Sequence, residues 1–306
     1  MTQRVTIKVD SVKLARIQEY YHKDQKENSG EYITFFAKND EIVVTCYTSK
    51  KANDYKVMFL GANALEEAKK WDINAELNKA KAKGPSKASW ILLDEQIGSD
   101  EVGTGDFFGP ISVCAAYVSK KDIKRLKELG VDDSKRLSDS DILRIGKVLI
   151  NEISYSQVAL TNEKYNELVS KGMNMNEMKS KMHNQVLLNL KKKHPDVKSF
   201  VQDQFLEADK YFAYLFGIEE VVEDITFRTK GESYYPSIAC ASIISRYSFL
   251  QKMEALKKAY GVDIPFGASS KVTQCAIKIA KKFGIEELNK IVKKNFANYD
   301  EVLKSI

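Results

Sequence analysis

One stretch limits the possible folds of this chain more than any other: residues 90–118, WILLDEQIGSDEVGTGDFFGPISVCAAYV. Two runs rich in strand formers flank a short segment with glycine at 103, 105 and 109. A connection that short joins antiparallel neighbours, because a parallel return needs a crossover of about a dozen residues or more. Beyond the hairpin the pattern alternates. KKDIKRLKELG reads as a helix stopped by Gly130, and SDSDILRIGKVLINEI as a helix capped by Ser138 with acids in its first turn. SYSQVAL reads as a strand, MKSKMHNQVLLNLKKK as an amphipathic helix, and VKSFVQDQF and EVVEDITFRTK as two further strands. PSIACASIISRYSFLQKMEALKKAY is a long helix with small residues on the face that can pack closely. A hairpin followed by this alternation predicts an α/β domain, a mixed sheet flanked by helices, over residues 90–306.

Residues 1–80 have a different character and predict a small α+β domain. RVTIKV alternates as a strand does, and SVKLARIQEYY has helical spacing behind Ser11 as N-cap. EYITFFAKNDEIVVTCYT reads as a hairpin turning at Lys38-Asn39-Asp40, YKVMFLG as another strand, and NALEEAKKW as a second helix. Composition then shifts: NKAKAKGPSKAS is rich in Lys and Ala around Gly84-Pro85, which predicts a linker over 81–89. Over residues 1–89, 16 Lys and Arg stand against 12 Asp and Glu. A solvated surface accounts for that excess, and so does a sheet face that grips a nucleic-acid backbone.

The whole chain carries a formal net charge of +6, which permits a polyanionic partner without requiring one. No apolar run approaches the ~20 residues of a membrane span, and MTQRVTIKVD lacks the apolar core of a secretory signal. Cys46, Cys114, Cys240 and Cys275 are far apart, and the three histidines complete no zinc pattern. These features predict a cytoplasmic protein with reduced thiols, whose metals, if any, sit on oxygen. His183 and His194, in or beside a Lys-rich helix, read as surface residues without a catalytic role.

The glycine stretch excludes two nucleotide motifs. Gly103, Gly105 and Gly109 are spaced one residue too widely for the dinucleotide fingerprint, and Pro110 and a strand follow instead of a helix. No Gly-Lys-Ser/Thr follows, which rules out a P-loop. A glycine-rich hairpin with two solvated acids at its mouth is the plainer reading. Against it, Asp100 and Glu101 lie inside an apparent strand, where alternation aims them to opposite faces unless the strand distorts. Further acids recur at matching places: Asp203 toward the end of a strand, and Glu232 just past another. Strand ends on one edge of an α/β sheet converge on a crevice. Four convergent carboxylates suit hard cations, Mg²⁺ or Mn²⁺. Two such ions about 4 Å apart can activate a water and stabilise the leaving oxygen of a phosphodiester.

SDEVGTGDFFGPISVCAAYV, GVDDSKRLSD, FVQDQF and TKGESYYPSIACASIISRYSFL together resemble the bacterial ribonuclease HIII family, of the type 2 ribonucleases H. The resemblance runs from about residue 90 to 306. It implies a ribonuclease H-like catalytic domain behind an N-terminal substrate-binding domain similar to the TATA-box-binding protein. It also implies an endonuclease that cuts the RNA strand of RNA–DNA hybrids, leaving 5′-phosphate and 3′-hydroxyl ends. The family's metal-binding acids fall on Asp100, Glu101, Asp203 and Glu232, with two divalent ions, Mg²⁺ or Mn²⁺, as cofactors. Gly231 stands where the family usually has alanine. Backbone groups of Gly103, Thr104 and Gly105 are expected to read 2′-hydroxyls, and Lys135 and Arg246 to contact phosphate, with Ser134 assisting Lys135. Asp106 reads as a turn residue. A monomer meets every expectation. A type HII-like activity on single embedded ribonucleotides and a non-catalytic nucleic-acid-binding module are the alternative functions.

Overall fold

Every second residue from Val5 to Val9 is buried, and the residues between face solvent. That alternation makes β1 (Gln3–Val9) a strand with one wet face. The computed structural model describes residues 3–27, 33–47, 55–77, 90–131 and 136–306. The expected linker at 81–89, together with Ser134 and Lys135, therefore lies outside the described residues. The chain divides into two units, Met1–Ser86 and Lys87–Ile306.

In the first unit, β1 is followed by α1 (Ser11–Tyr20), β2 (Ile33–Lys38), β3 (Ile42–Tyr47), β4 (Tyr55–Gly61) and α2 (Ala64–Lys69). The strands form an antiparallel sheet in the order β1-β4-β3-β2. Ser11 is not the cap of α1. Asp10 is, its Oδ1 accepting the Lys13 N–H at 2.7 Å, so Ser11 becomes the first helical residue. The β2–β3 turn is closed by Asn39, whose side-chain oxygen accepts the N–H groups of Glu41 and Ile42. Val5, Ile7, Leu14, Ile17, Val44 and Phe59 belong to one core, each worth roughly 1.5–3 kcal/mol of burial.

The second unit has β5 (Glu95–Val102), β6 (Ile111–Ser119), α3 (Ile123–Leu129), α4 (Asp139–Glu152) and β7 (Tyr155–Leu160). There follow α5 (Asn162–Ser170), α6 (Met175–Lys193), β8 (Phe200–Asp203), α7 (Ala208–Ala213) and β9 (Ile225–Arg228). The long α8 (Pro236–Tyr260) leads to α9 (Ser270–Phe283), α10 (Ile285–Asn289) and α11 (Ala297–Leu303). The sheet order is β7-β6-β5-β8-β9, antiparallel from β7 to β5 and parallel from β5 to β9. It is the mixed sheet that the hairpin and the alternation predict. Gly130 ends α3 in the left-handed conformation, and the Ser138 side chain caps α4.

Helices α4 and α8 cover one face of the sheet, where Ile142, Ile145, Leu149 and Ile243 meet Cys114, Ala116 and Val118. Helix α6 covers the other, with Val186, Leu187 and Leu190 against Ile97, Ile111 and Val113. The C-terminal helices enclose a third core around Phe107, Phe108 and Phe249. All four cysteines are free and buried. Helices α5, α7 and α9–α11 have no counterpart in the sequence reading.

Candidate functional site

The site is built outward from β5, whose side chains alternate between two different helices. Gly98 and Asp100 face α8, while Ser99 and Glu101 face α6. A Cβ on residue 98 would lie 2.6 Å from the backbone nitrogen of Ile238, so glycine is what lets the first turn of α8 approach the strand. Two residues on, Asp100 meets the Ser242 hydroxyl of α8 and accepts the Glu101 N–H at 2.8 Å. It is 8% exposed. Burial, then the charges of Glu101 and Asp203, push its carboxyl well above the ordinary carboxylate range.

Asp203 ends β8. The parallel register Gly98↔Val201, Ser99↔Gln202, continued by one residue, sets Asp203 level with Asp100. Its Oδ1 accepts the Gly231 N–H at 2.7 Å, which ties the next loop to the strand end. Glu232 follows in the single 3-10 turn Gly231–Ser233 that leads into α8, and it is buried. Lys230 opens that turn with a φ of 57°, a left-handed conformation costly for a residue with a Cβ. Asp100, Asp203 and the turn bearing Glu232 thus converge at the C-terminal ends of β5 and β8.

Glu101 is drawn the other way. Lys179 donates to its Oε1 at 2.9 Å, and His183 Nε2 lies 3.0 Å from its Oε2. Burial alone would raise its pKa; the hydrogen bond and charge of His183, with those of Lys179, outweigh burial and hold it well below the ordinary range. Strand alternation is therefore obeyed, and β5 does not distort to bring the two acids onto one face. Among the described residues, no three of His, Cys, Asp and Glu gather into a finished metal cage. The donor set is nonetheless one of hard oxygens, and the charge crowding at Asp100 is what a cation would relieve.

The turn after β5 is fixed from outside. Gly103 has a φ of +88°, and a Cβ there would lie 2.2 Å from the Pro110 carbonyl oxygen; Gly105 is exposed, with nothing within 4 Å of its Cβ position. Asp106 is a turn residue, its Oδ1 accepting the Gly267 N–H at 2.6 Å. Lys293, fully buried, donates to the carbonyls of Asp106 and Gly109 at 2.7 and 2.6 Å. Asn162 at the start of α5 donates to the same Gly109 carbonyl. Arg246 sits one turn beyond Ser242 on α8, bonded to Asp139 at 3.1 Å and lying over the Phe266 ring. Its guanidinium is partly exposed.

The structure departs from the sequence expectations at two histidines and brings in two lysines that the sequence did not mark. His183 is not a surface residue: it is fully buried between Ser99 and Glu101, with Ser99 Oγ 2.9 Å from Nδ1. His194 is half-buried, stacked on Tyr117 and bonded to Ser154. Lys179 was missed. Its signal was helical spacing, since Lys179, His183, Val186 and Leu190 share one stripe of α6. Lys293 carried no local signal at all.

The chain matches the family model described as Ribonuclease HII over residues 97–299, and a domain of unknown function (DUF3378) over residues 4–84. It is 41% identical to a ribonuclease HIII of Listeria monocytogenes serovar 1/2a, covering 98% of each chain. It is 40% identical to one of Bacillus licheniformis, covering 95% of each. The crystal structure of Bst-RNase HIII in complex with Mn²⁺ superposes with a TM-score of 0.68 at 34% identity, covering 98% of each chain. Aquifex aeolicus RNase H3, at 24% identity and a TM-score of 0.54, shares the fold over 95% of this chain and 99% of its own. With full-length relatives at this identity, and a site on the two strand ends of the matched region, the chain belongs to the ribonuclease HIII family.

Proposed function

We propose that this chain is an endonuclease that hydrolyses the RNA strand of RNA–DNA hybrids, leaving 5′-phosphate and 3′-hydroxyl ends. The observation that carries the reading is the convergence of buried Asp100, Asp203 and the turn bearing buried Glu232 at the strand ends, in a chain whose relatives are named ribonuclease HIII. Asp100, Glu101, Asp203 and Glu232 hold Mg²⁺ or Mn²⁺, the second of which the related Bst-RNase HIII crystal contains. Two divalent ions bound there supply the activation of a water and the stabilisation of the leaving oxygen.

This chain's own residues do the rest. Ser242 and the Glu101 N–H orient Asp100, and Gly231 orients Asp203. The backbone of Gly103, Thr104 and Gly105 approaches the minor groove and reads 2′-hydroxyls, which distinguish the RNA strand from the DNA strand. Arg246 contacts a phosphate from the partly exposed side of its ion pair, and Lys135, assisted by Ser134, contributes a further phosphate contact. Residues 1–80 form the substrate-binding domain, 81–89 a linker, and 90–306 the catalytic domain. The protein works as a monomer in the cytoplasm; its free cysteines suit that compartment, and among the described residues no helix is long and apolar enough to cross a membrane.

The test is cleavage of a labelled RNA–DNA hybrid in Mg²⁺, Mn²⁺ or EDTA, with RNA–RNA and DNA–DNA duplexes as controls. Cutting of the hybrid alone, abolished by EDTA, is expected; equal cutting of RNA–RNA would end the proposal. Comparing one embedded ribonucleotide with a run of four or more separates this activity from the type HII-like one.

Two glycine substitutions divide folding from recognition. Gly105→Ala, pointing into open space, is expected to leave the melting temperature within about 1 °C and raise KM several-fold. Gly103→Ala forces a Cβ against the Pro110 carbonyl and is expected to cost roughly 2–4 kcal/mol, read by urea unfolding. Deleting residues 1–86 is expected to weaken hybrid binding and flatten its salt dependence while sparing kcat. Equal slopes of log Kd against log salt for both proteins would remove substrate binding from that unit.

A further inference from the structure

Both oxygens of Glu101 are already taken. Lys179 holds Oε1, His183 holds Oε2, and Ser99 fixes the far nitrogen of the His183 ring. Lys179 and His183 are four residues apart on α6, and Ser99 and Glu101 two apart on β5, so a helix turn and a strand repeat meet face to face. Lys179 is also cradled from below: its ammonium lies 3.7 Å from the centroid of the Phe205 ring, just past β8. Its side chain is only 8% exposed. A surface lysine keeps its ammonium in water; Lys181, two residues on and paired with Glu177 on the same helix, leaves 36% of its side chain exposed. Lys179 instead spends its length reaching a carboxylate and an aromatic face.

We infer that Lys179 is a built-in counter-cation of Glu101, a positioning residue that holds this carboxylate in the metal-free protein and weakens its grip on a divalent ion. The inference rests on the reading of Glu101 as a metal ligand. A monovalent cation at 2.9 Å from Oε1 repels a divalent ion that binds the same carboxylate, and a partly buried setting screens that repulsion poorly. Glu101 must therefore be shared with, or released from, Lys179 when a metal arrives. The site keeps its acid ordered and neutralised between turnovers, and the metal affinity is lower for it.

Mn²⁺ titration of the full-length protein by calorimetry tests this, with Lys179→Met, Lys179→Gln, Lys179→Arg and Asp100→Asn. Both neutral variants are expected to bind Mn²⁺ at least tenfold more tightly than wild type, with Lys179→Gln keeping a donor to Glu101 without the charge. Their melting temperatures in EDTA are expected to fall, and Mn²⁺ to raise them by more than it raises the wild type's. Lys179→Arg is expected to match wild type. A purely structural role would weaken metal binding, so tightening is the distinguishing result. If both neutral variants bind Mn²⁺ no more tightly than wild type while Asp100→Asn binds it more weakly, the counter-cation role is overturned and the metal site stands. If Asp100→Asn leaves Mn²⁺ affinity unchanged, the metal-site reading fails and the inference falls with it.

Discussion

Asp100→Asn is expected to slow hybrid cleavage by roughly a thousandfold or more and, in EDTA, to make the protein more stable than wild type. The first effect follows from removing one carboxylate from the proposed metal site, since losing about 4 kcal/mol of transition-state stabilisation costs a factor of about 10³. The second follows from the site's own strain. Asp100 is buried against Glu101 and Asp203, and its folded pKa is raised well above the ordinary value. In the unfolded chain the carboxyl ionises near its usual ~3.9. Above that pH the folded form retains a proton that the unfolded form has lost, so stability falls as pH rises toward the raised folded pKa. Asparagine has no proton to lose and is nearly isosteric. Melting curves in EDTA across pH 4–8 should show the wild type losing ground to Asp100→Asn as pH rises, and single-turnover cleavage should show the rate loss. A variant that cuts at wild-type rate would remove Asp100 from the catalytic set.

Lys293→Met is expected to destabilise the fold by roughly 2–4 kcal/mol near pH 9 and by less near pH 6, because two buried carbonyls lose their donor. Those carbonyls belong to Asp106 and Gly109, so the same variant should loosen the turn and raise KM for the hybrid. The pH dependence is distinctive. Burial lowers the Lys293 pKa to about 7, against a smaller opposing pull from Asp106. The unfolded lysine keeps its proton up to about 10.4. Between those values the unfolded chain binds more protons than the folded one, so this residue's contribution to stability rises with pH through that window and is flat below it. Denaturant unfolding of both proteins at pH 6 and pH 9 measures the difference. A gap that stays constant with pH would show that Lys293 is charged in the folded protein at both values.

Much of the catalytic fold was legible because its signals are local. The positions of the glycine turn after GSDEV, the cap at Ser138 and the stop at Gly130 are each marked by residues within a few places of one another, and each stands in the structure. Alternation even states that Asp100 and Glu101 leave β5 on opposite sides. What was illegible depends on partners distant in sequence. Lys179 and His183 lie in MKSKMHNQ, a segment polar enough to read as a wet face, and only the arrival of β5 buries them. Lys293 lies in KIVKKNF beside Lys290 and Lys294, and nothing nearby marks it as the one that turns inward. Helices α9–α11 follow the last of the motifs, and their place in the fold is set by packing on residues far upstream in sequence. Their packing on Phe107 and Phe108 shows they support the turn that follows Asp100 and Glu101.

The Lys293 anchor also bears on when the protein becomes competent during synthesis. Lys293 and the Asp106 carbonyl it holds are 187 residues apart in the chain. At translation speeds of about 5–20 residues per second, the ribosome needs roughly 10–40 seconds to cover that distance. Through that interval the β5–β6 hairpin can form, and with it the strand that carries Asp100 and Glu101. The turn proposed above to discriminate RNA from DNA still lacks its buried support. A nascent chain therefore carries Asp100 and Glu101 well before the clasp of the turn that follows them, and on the function proposed above selectivity is among the last properties to be assembled.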